Sequence, residues 1–227
     1  MITVSKEDYL KAILEAEGEG QMVISATLAH WLQVSPPAVT MALRRLKRDG
    51  LVRVDKKGSV ALTAAGRRIA RQLTLRHHLI ERMLSEIFGM EWYKVHDEAE
   101  RLEHAVSPDF EAKLLAKLGP GGVCPHGNMS ELEGAESRKR RGLVPLAQAE
   151  PGTSYIVSGI YERDRRLLEF LEGRGIRPGA GFQVKGRNYD ETLTLTTDVG
   201  TIALGNAAAE KVWVVPREKT VRRAPLP

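Results

Sequence analysis

The hydrophobic period of this chain changes once, and that change limits the folds open to it. Up to about residue 118 apolar residues recur at three and four positions, the helical spacing. From Thr153 they alternate, in Tyr155–Ile160, Gly181–Lys185, Thr192–Thr196, Gly200–Leu204 and Lys211–Val215. Between them, residues 119–151 carry Gly, Pro and charge without period, as a linker does. The expected fold is mainly α with a small β domain. It reads as an N-terminal winged helix-turn-helix at 1–72, a helical domain at 73–120, a linker at 121–151, an SH3-like barrel at 152–217 and a tail at 218–227. One helix, Asp164 to Glu172, interrupts the strands.

The head is the most specific part. A helix over Ser5–Glu17, with Ser5 as candidate N-cap, precedes a second at Ser25–Leu32. Ser35 can cap a third, Pro36 or Pro37 suits its first turn, and Asp49-Gly50 stops it. Val39, Leu43 and Leu46 face inward, leaving Ala38, Thr40, Met41, Arg44 and Arg45 toward solvent. The runs Leu51–Val54 and Ser59–Leu62 flank Asp55-Lys56-Lys57-Gly58, a hairpin with two lysines at its tip. A short-turned helix pair followed by a basic hairpin is the winged-helix pattern, which reads double-stranded DNA. Ser35, Pro37, Ala38, Thr40, Met41, Arg44 and Arg45 are the candidate DNA-facing residues, with Lys56 and Lys57 on phosphates. A small helical domain with an incidental basic surface is the plainer alternative.

Charge is distributed to match. Residues 1–72 hold 12 Lys/Arg against 7 Asp/Glu, whereas residues 73–120 hold 6 against 9. A basic head joined to an acidic, His-bearing middle suits nucleic acid at one end and cations at the other. In the middle, Lys94–His104 has no Gly or Pro and reads as one helix with His96, Glu100, Glu103 and His104 on one side. Two carboxylates and two imidazoles on one stripe suit a divalent cation, though a solvated charged face also fits. His77 and Glu81 lie four apart on the preceding helix, a pairing that ordinary helices also show. His30 and His78 have no acidic neighbours at ligand spacing and are expected to be structural. Cys124 and His126 flank a Pro in what reads as a turn, and the run Arg138–Arg141 as solvated linker. The surplus of apolar helices over what a winged head needs suggests dimerisation, and twofold symmetry would match a palindromic operator. No apolar run approaches membrane-spanning length and the single Cys fits a reducing compartment, so a cytoplasmic protein with no membrane partner is expected.

With the winged head, Arg76-His77-His78-Leu79-Ile80-Glu81-Arg82, the Lys94–His104 stretch and Cys124-Pro125-His126-Gly127-Asn128 in that order, the chain resembles the diphtheria toxin repressor family of metal-activated transcriptional repressors. The resemblance covers all three regions, including a C-terminal FeoA-type domain. It implies a primary metal site at Asp8, Glu100, Glu103 and His104. Iron-responsive members carry Met and Cys at the first two positions and manganese-responsive members Asp and Glu, so the resemblance is to the latter. Hard carboxylate oxygens suit Mn(II), while Fe(II) accepts the same donors and other divalent transition metals would enter in vitro. The resemblance also implies an ancillary site at His77, Glu81 and His96 with a ligand from the barrel domain, Asp164 or its rival Glu162. Lys11 stands where the manganese-type pattern has a second Glu, so a close manganese pair does not carry over to this chain. The expected function is a manganese(II)-activated repressor of metal-uptake and homeostasis genes, a homodimer on DNA and not an enzyme. An iron(II)-dependent repressor is the alternative within the family, and a helical metalloenzyme the alternative outside it.

Overall fold

A computed structural model describes residues 3–119, 122–129 and 134–217, so the expected tail at 218–227 lies outside the described residues. The chain forms two compact units, residues 1–138 and 139–227.

The first unit opens with α1 (Val4–Gly18), whose N-cap position is Thr3 rather than Ser5. Helix α2 (Ser25–Trp31) and helix α3 (Pro36–Arg48) come next. Ser35 Oγ accepts from Ala38 N at 3.4 Å, so the cap and the prolines start α3 as their chemistry dictates. The wing is β1 (Val52–Val54) paired antiparallel with β2 (Val60–Leu62). Its turn is tied by Asp55 Oδ1, which accepts from Lys57 N at 2.8 Å and Ser59 N at 2.9 Å. Leu10, Ile13 and Leu14 of α1 share one core with Leu28, Val39, Leu43, Leu46, Val52 and Val60. Helix α1 is therefore a structural part of the winged head.

Helix α4 (Ala64–Arg82) runs without a break from the wing into the acidic region. Thr63 caps it, accepting from Gly66 N at 3.1 Å and donating to Gly50 O at 2.8 Å. Gly66 is required there, because a Cβ would stand 2.1 Å from Leu51 O. The helix ends in a π turn, Met83–Ile87, which no local sequence signal marks. Helix α5 spans only Val95–Leu102 and helix α6 Pro108–Leu118, the latter capped by Ser107 Oγ. Leu79, Ile80, Leu84, Val95, Ala99 and Leu114 form a second core between α4, α5 and α6. The expected helix through His104 thus stops two residues short, and Glu103 and His104 sit on the turn after it. Helix α7 (Ala135–Arg140) occupies part of the expected linker, and Arg138 is buried, its guanidinium 3.5 Å from Glu19.

The second unit is one six-stranded antiparallel sheet. Its strands are β3 (Val144–Pro145), β4 (Ser154–Ile160), β5 (Gly181–Arg187), β6 (Leu193–Thr197), β7 (Gly200–Leu204) and β8 (Val212–Pro216), in the order β3-β8-β4-β5-β6-β7. Register shifts at Val157/Gly159 and Val184/Gly186 mark bulges, which bend a sheet toward a barrel. Tyr155, Val157, Phe182, Val184, Leu193, Leu195 and Leu204 are buried on its inner face. Helix α8 (Arg165–Glu172) adds Leu168 and Leu171. All five strands and the helix read from alternation are present, and β3 is an addition too short to show a period.

Candidate metal centre and DNA-binding surface

Asp8 and Lys11 lie three residues apart on α1, so both project from the side of the helix that meets α4 and the end of α5. His104 Nε2 is 2.8 Å from Asp8 Oδ1 and 3.6 Å from Glu103 Oε1. Asp8, Glu103 and His104 each offer a ligand atom, all within 4.8 Å of one another. The other ring nitrogen, His104 Nδ1, donates to Glu7 Oε2 at 2.9 Å. A carboxylate behind a ligating imidazole fixes its tautomer and raises its basicity. Glu7 is a residue that the sequence reading missed. The only signal for it was its adjacency to Asp8, since its partner is 97 positions away.

Glu100 is placed differently from its three companions. It is exposed, with Oε1 3.6 Å from His96 Nε2 and 3.9 Å from Lys11 Nζ. Lys11, by contrast, is 3% exposed and donates to Glu103 Oε1 at 3.0 Å and Oε2 at 2.8 Å. Its ammonium also lies 2.9 Å from His77 Nδ1. Burial works to lower the Lys11 pKa, but Glu15, Glu103 and Glu100 outweigh it and leave the group above its usual value, so it stays charged.

His77 joins this pole to a second one. Its Nδ1 is 2.6 Å from Glu103 Oε2, and its Nε2 is 3.0 Å from both Glu81 Oε1 and His96 Nδ1. Burial and Lys11 push the His77 pKa down, yet the carboxylates of Glu81 and Glu103 prevail and raise it to about 9. Burial likewise works against ionised Glu103, but His77 and Lys11 hold it down at about 2. Glu81 is fully buried, and burial is again outweighed, here by His126 and His77, which hold it well below the usual range. His126 is fully buried too, its Nδ1 3.4 Å from Glu81 Oε1 and 3.8 Å from Cys124 Sγ. The turn excluded from the site on sequence grounds therefore presents an imidazole and a thiol beside Glu81. No local signal could have shown this, because the approach spans 45 residues. His78 is buried on α4. Asp164 belongs to the second unit, where its Oδ1 accepts from Leu167 N at 3.0 Å and caps α8.

A divalent cation fits these donors. Carboxylate oxygens and imidazole nitrogens converge at the Asp8 pole, and Glu81 Oε2, sealed from solvent, has no hydrogen-bond partner among the described residues. Metal-free, the cluster balances Glu81 and Glu103 with Lys11 and a protonated His77.

On α3 and its N-cap, Ser35, Pro37, Ala38, Thr40, Met41, Arg44 and Arg45 are all exposed, while Val39, Leu43 and Leu46 are buried. Lys56 and Lys57 are exposed at the wing tip. Thr40 Oγ1 donates to Pro36 O at 3.1 Å, and the residue is exposed. The surface has the form expected of a recognition helix with a basic flank.

Comparison with known proteins matches three stretches of the chain to known domains. Residues 1–60 match the iron dependent repressor N-terminal DNA binding domain, and residues 63–131 the iron dependent repressor metal binding and dimerisation domain. Residues 144–216 match the FeoA domain. The chain is 33% identical over 195 residues to the diphtheria toxin repressor of Corynebacterium glutamicum, covering 86% of this chain and 80% of that one. It is 38% identical over 219 residues to the iron-dependent repressor IdeR of Mycobacterium leprae, covering 92% and 95%. The chain belongs to the diphtheria toxin repressor family.

That family is one of DNA-binding transcriptional repressors, which removes the metalloenzyme alternative. Among solved structures, a manganese-dependent transcriptional repressor in complex with manganese superposes with a TM-score of 0.81 at 34% identity, covering 93% of this chain and 100% of that one. The manganese regulator SloR gives 0.77 at 27% identity, covering 95% and 100%. Family membership thus brings metal dependence on manganese or iron, DNA binding and dimerisation. No helix among the described residues is long and apolar enough to cross a membrane.

Proposed function

We propose that this chain is a manganese(II)-activated repressor of metal-uptake and homeostasis genes, acting in the cytoplasm as a homodimer on a palindromic operator. One observation carries the reading. Asp8, on a helix that belongs to the core of the DNA-binding head, meets Glu103 and His104 on the turn after α5. The site therefore joins the segment that reads DNA to the segment that sets dimer geometry.

A bound divalent cation would supply the positive charge that lets the Asp8 and Glu103 carboxylates and the His104 imidazole share one small volume. The response of the head is set by the chain's own residues. Asp8 is partly buried, and burial, its largest influence, raises its pKa despite His104. Its carboxylate is therefore under-compensated in the metal-free protein and gains most from a cation. Fixing Asp8 fixes α1, and Leu10, Ile13 and Leu14 transmit that position to Val39, Leu43 and Leu46 of α3. A metal favours the DNA-competent arrangement only by its difference in affinity between arrangements, and ligands drawn from separate segments supply such a difference. Glu7 holds the His104 ring in register throughout.

Hard oxygens at the Asp8 pole support manganese over softer, later metals. One observation favours an iron(II) reading for the second pole, where His77, His96, His126 and Cys124 gather around Glu81 and are richer in nitrogen and sulfur. Exposed Ile87, Phe88 and Phe110, beside the second core, support the dimer surface. A mobility shift titrated with Mn(II), Fe(II) and Zn(II), against a chelator control, tests the whole reading. Retardation at the lowest free Mn(II) is expected. DNA binding that ignores the chelator contradicts it.

A further inference from the structure

Three donors converge on one point inside the first unit, and the group at that point is a lysine. Glu103 presents both oxygens to Lys11 Nζ, at 3.0 and 2.8 Å, and Glu100 presents Oε1 at 3.9 Å, while His77 Nδ1 stands 2.9 Å away and would become a donor atom on giving up the proton it shares with Glu103. Lys11 is sealed from solvent, so this is not a flexible surface ion pair. Carboxylates and an imidazole nitrogen around a buried centre are the donors of a metal shell. We propose that the Lys11 ammonium is a tethered cation occupying one of two adjacent cation positions, so that the cluster accepts a single divalent ion on the Asp8–Glu103–His104 side and uses Lys11 to hold Glu103 for it. The proposal deepens the reading of those three residues as a metal site and rests on it.

The division of labour on Glu103 supports the proposal. Its Oε2 takes the closest contacts from Lys11 and His77, at 2.8 and 2.6 Å, while Oε1 lies 3.6 Å from His104 Nε2 on the Asp8 side. Oε2 thus carries two short contacts, while Oε1 carries one, from Lys11 at 3.0 Å, and lies nearer the Asp8 side. Lys11 acts through Glu103 and is a positioning residue. Two divalent ions sharing a carboxylate sit about 3.5–4 Å apart. A monovalent ammonium beside one divalent ion involves less repulsion than a second divalent ion, and it needs no second metal to complete the shell. Metal–oxygen bonds of about 2.1 Å are shorter than the distances here, so inward movements of under about 1 Å by Glu103 and His77 and of about 2 Å by the exposed Glu100 would close a second shell if the ammonium were removed.

The test is metal stoichiometry on the full chain. Metal-stripped wild type, Lys11→Met, Lys11→Glu, Lys11→Arg and Asp8→Asn are titrated with Mn(II) alone, and bound ions are counted by native mass spectrometry. Electron paramagnetic resonance is recorded at saturation. Wild type and Lys11→Arg should load equally, Lys11→Met and Lys11→Glu should each gain one ion per chain, and Asp8→Asn should lose one. The added ion should broaden the six-line spectrum of isolated Mn(II) through coupling between neighbouring ions, a change that a purely structural role would not produce. If Lys11→Glu fails to fold, Lys11→Met carries the decision, since it removes the charge at similar length. Unchanged loading in both Lys11 variants, with Asp8→Asn still losing one ion, overturns the tethered-cation proposal alone. Unchanged loading in Asp8→Asn overturns the metal site itself and this proposal with it.

Discussion

Arg44 and Arg45 on α3 stand in solvent, whereas Lys11 on α1, a cation of the same sign, is sealed among carboxylates. The two regions share one core and use charge in opposite ways. On the DNA-facing surface the cations are held by the backbone alone and left hydrated, ready for an anionic partner. Around Lys11 and His77 the buried charges are matched to Glu103 and Glu81 before any ligand arrives, so the fold itself depends on that matching. The first region can lose a residue and keep its stability, while the buried Lys11–Glu103–His77 network cannot lose its shared carboxylate without a large cost.

The largest effect of this difference is expected at Glu103. Replacing it by Gln leaves Lys11 and His77 buried without their shared carboxylate, and breaking such a pair costs about 3–5 kcal/mol. Urea denaturation should show that loss in Glu103→Gln even without metal. No comparable change is expected in Arg44→Ala.

The next largest is a pH dependence confined to the buried region. The His77 pKa is raised from 6.5 to about 9 in the folded chain. Its contribution is therefore complete below about pH 6.5 and lost as pH rises through 9, amounting to about 3 kcal/mol by linkage. The melting temperature of metal-free protein should fall across that window in wild type and stay flatter in His77→Gln. Equal slopes for the two would break the assignment of His77 as the proton-bearing partner of Glu103.

Arg44→Ala sharpens the other side of the comparison. It should weaken operator binding by about 1–3 kcal/mol with metal loading unchanged, as mobility shift and native mass spectrometry together would show. The smallest effect belongs to Lys57→Ala at the wing tip. It should weaken binding to all sequences alike and reduce the slope of log affinity against log salt by about 1.

The same contrast accounts for what was legible in the sequence. The DNA-facing surface is specified by short-range chemistry, with Ser35 capping α3 three residues on and Asp55 tying the wing across four. The strands of the second unit were legible because alternation is equally local. The metal centre is assembled from pairs separated by up to 97 positions, such as Glu7 with His104 and Lys11 with Glu103. Residue types at helical spacing nominated Glu103 and His104, whereas Asp8 was nominated only through family resemblance. They could not show that Glu100 turns outward toward His96, that His126 closes on Glu81, or that Arg138 leaves the basic run to reach Glu19. Helical periodicity also misplaced Glu103 and His104 by one element. A stripe drawn at 3.6 residues per turn holds only while the helix continues, and α5 ends at Leu102.

The central claim is that a cation held by Asp8, Glu103 and His104 governs DNA binding through α1. Asp8 is the cleanest place to test it, because it is partly exposed and outside the Lys11–Glu103–His77 network. The direct measurement is operator affinity of wild type and Asp8→Asn across a Mn(II) titration, with circular dichroism confirming equal folding. Wild type should tighten by at least about tenfold on adding Mn(II), while Asp8→Asn stays at its metal-free affinity across the same range. An Asp8→Asn protein that tightens at the same Mn(II) concentration as wild type would contradict the account.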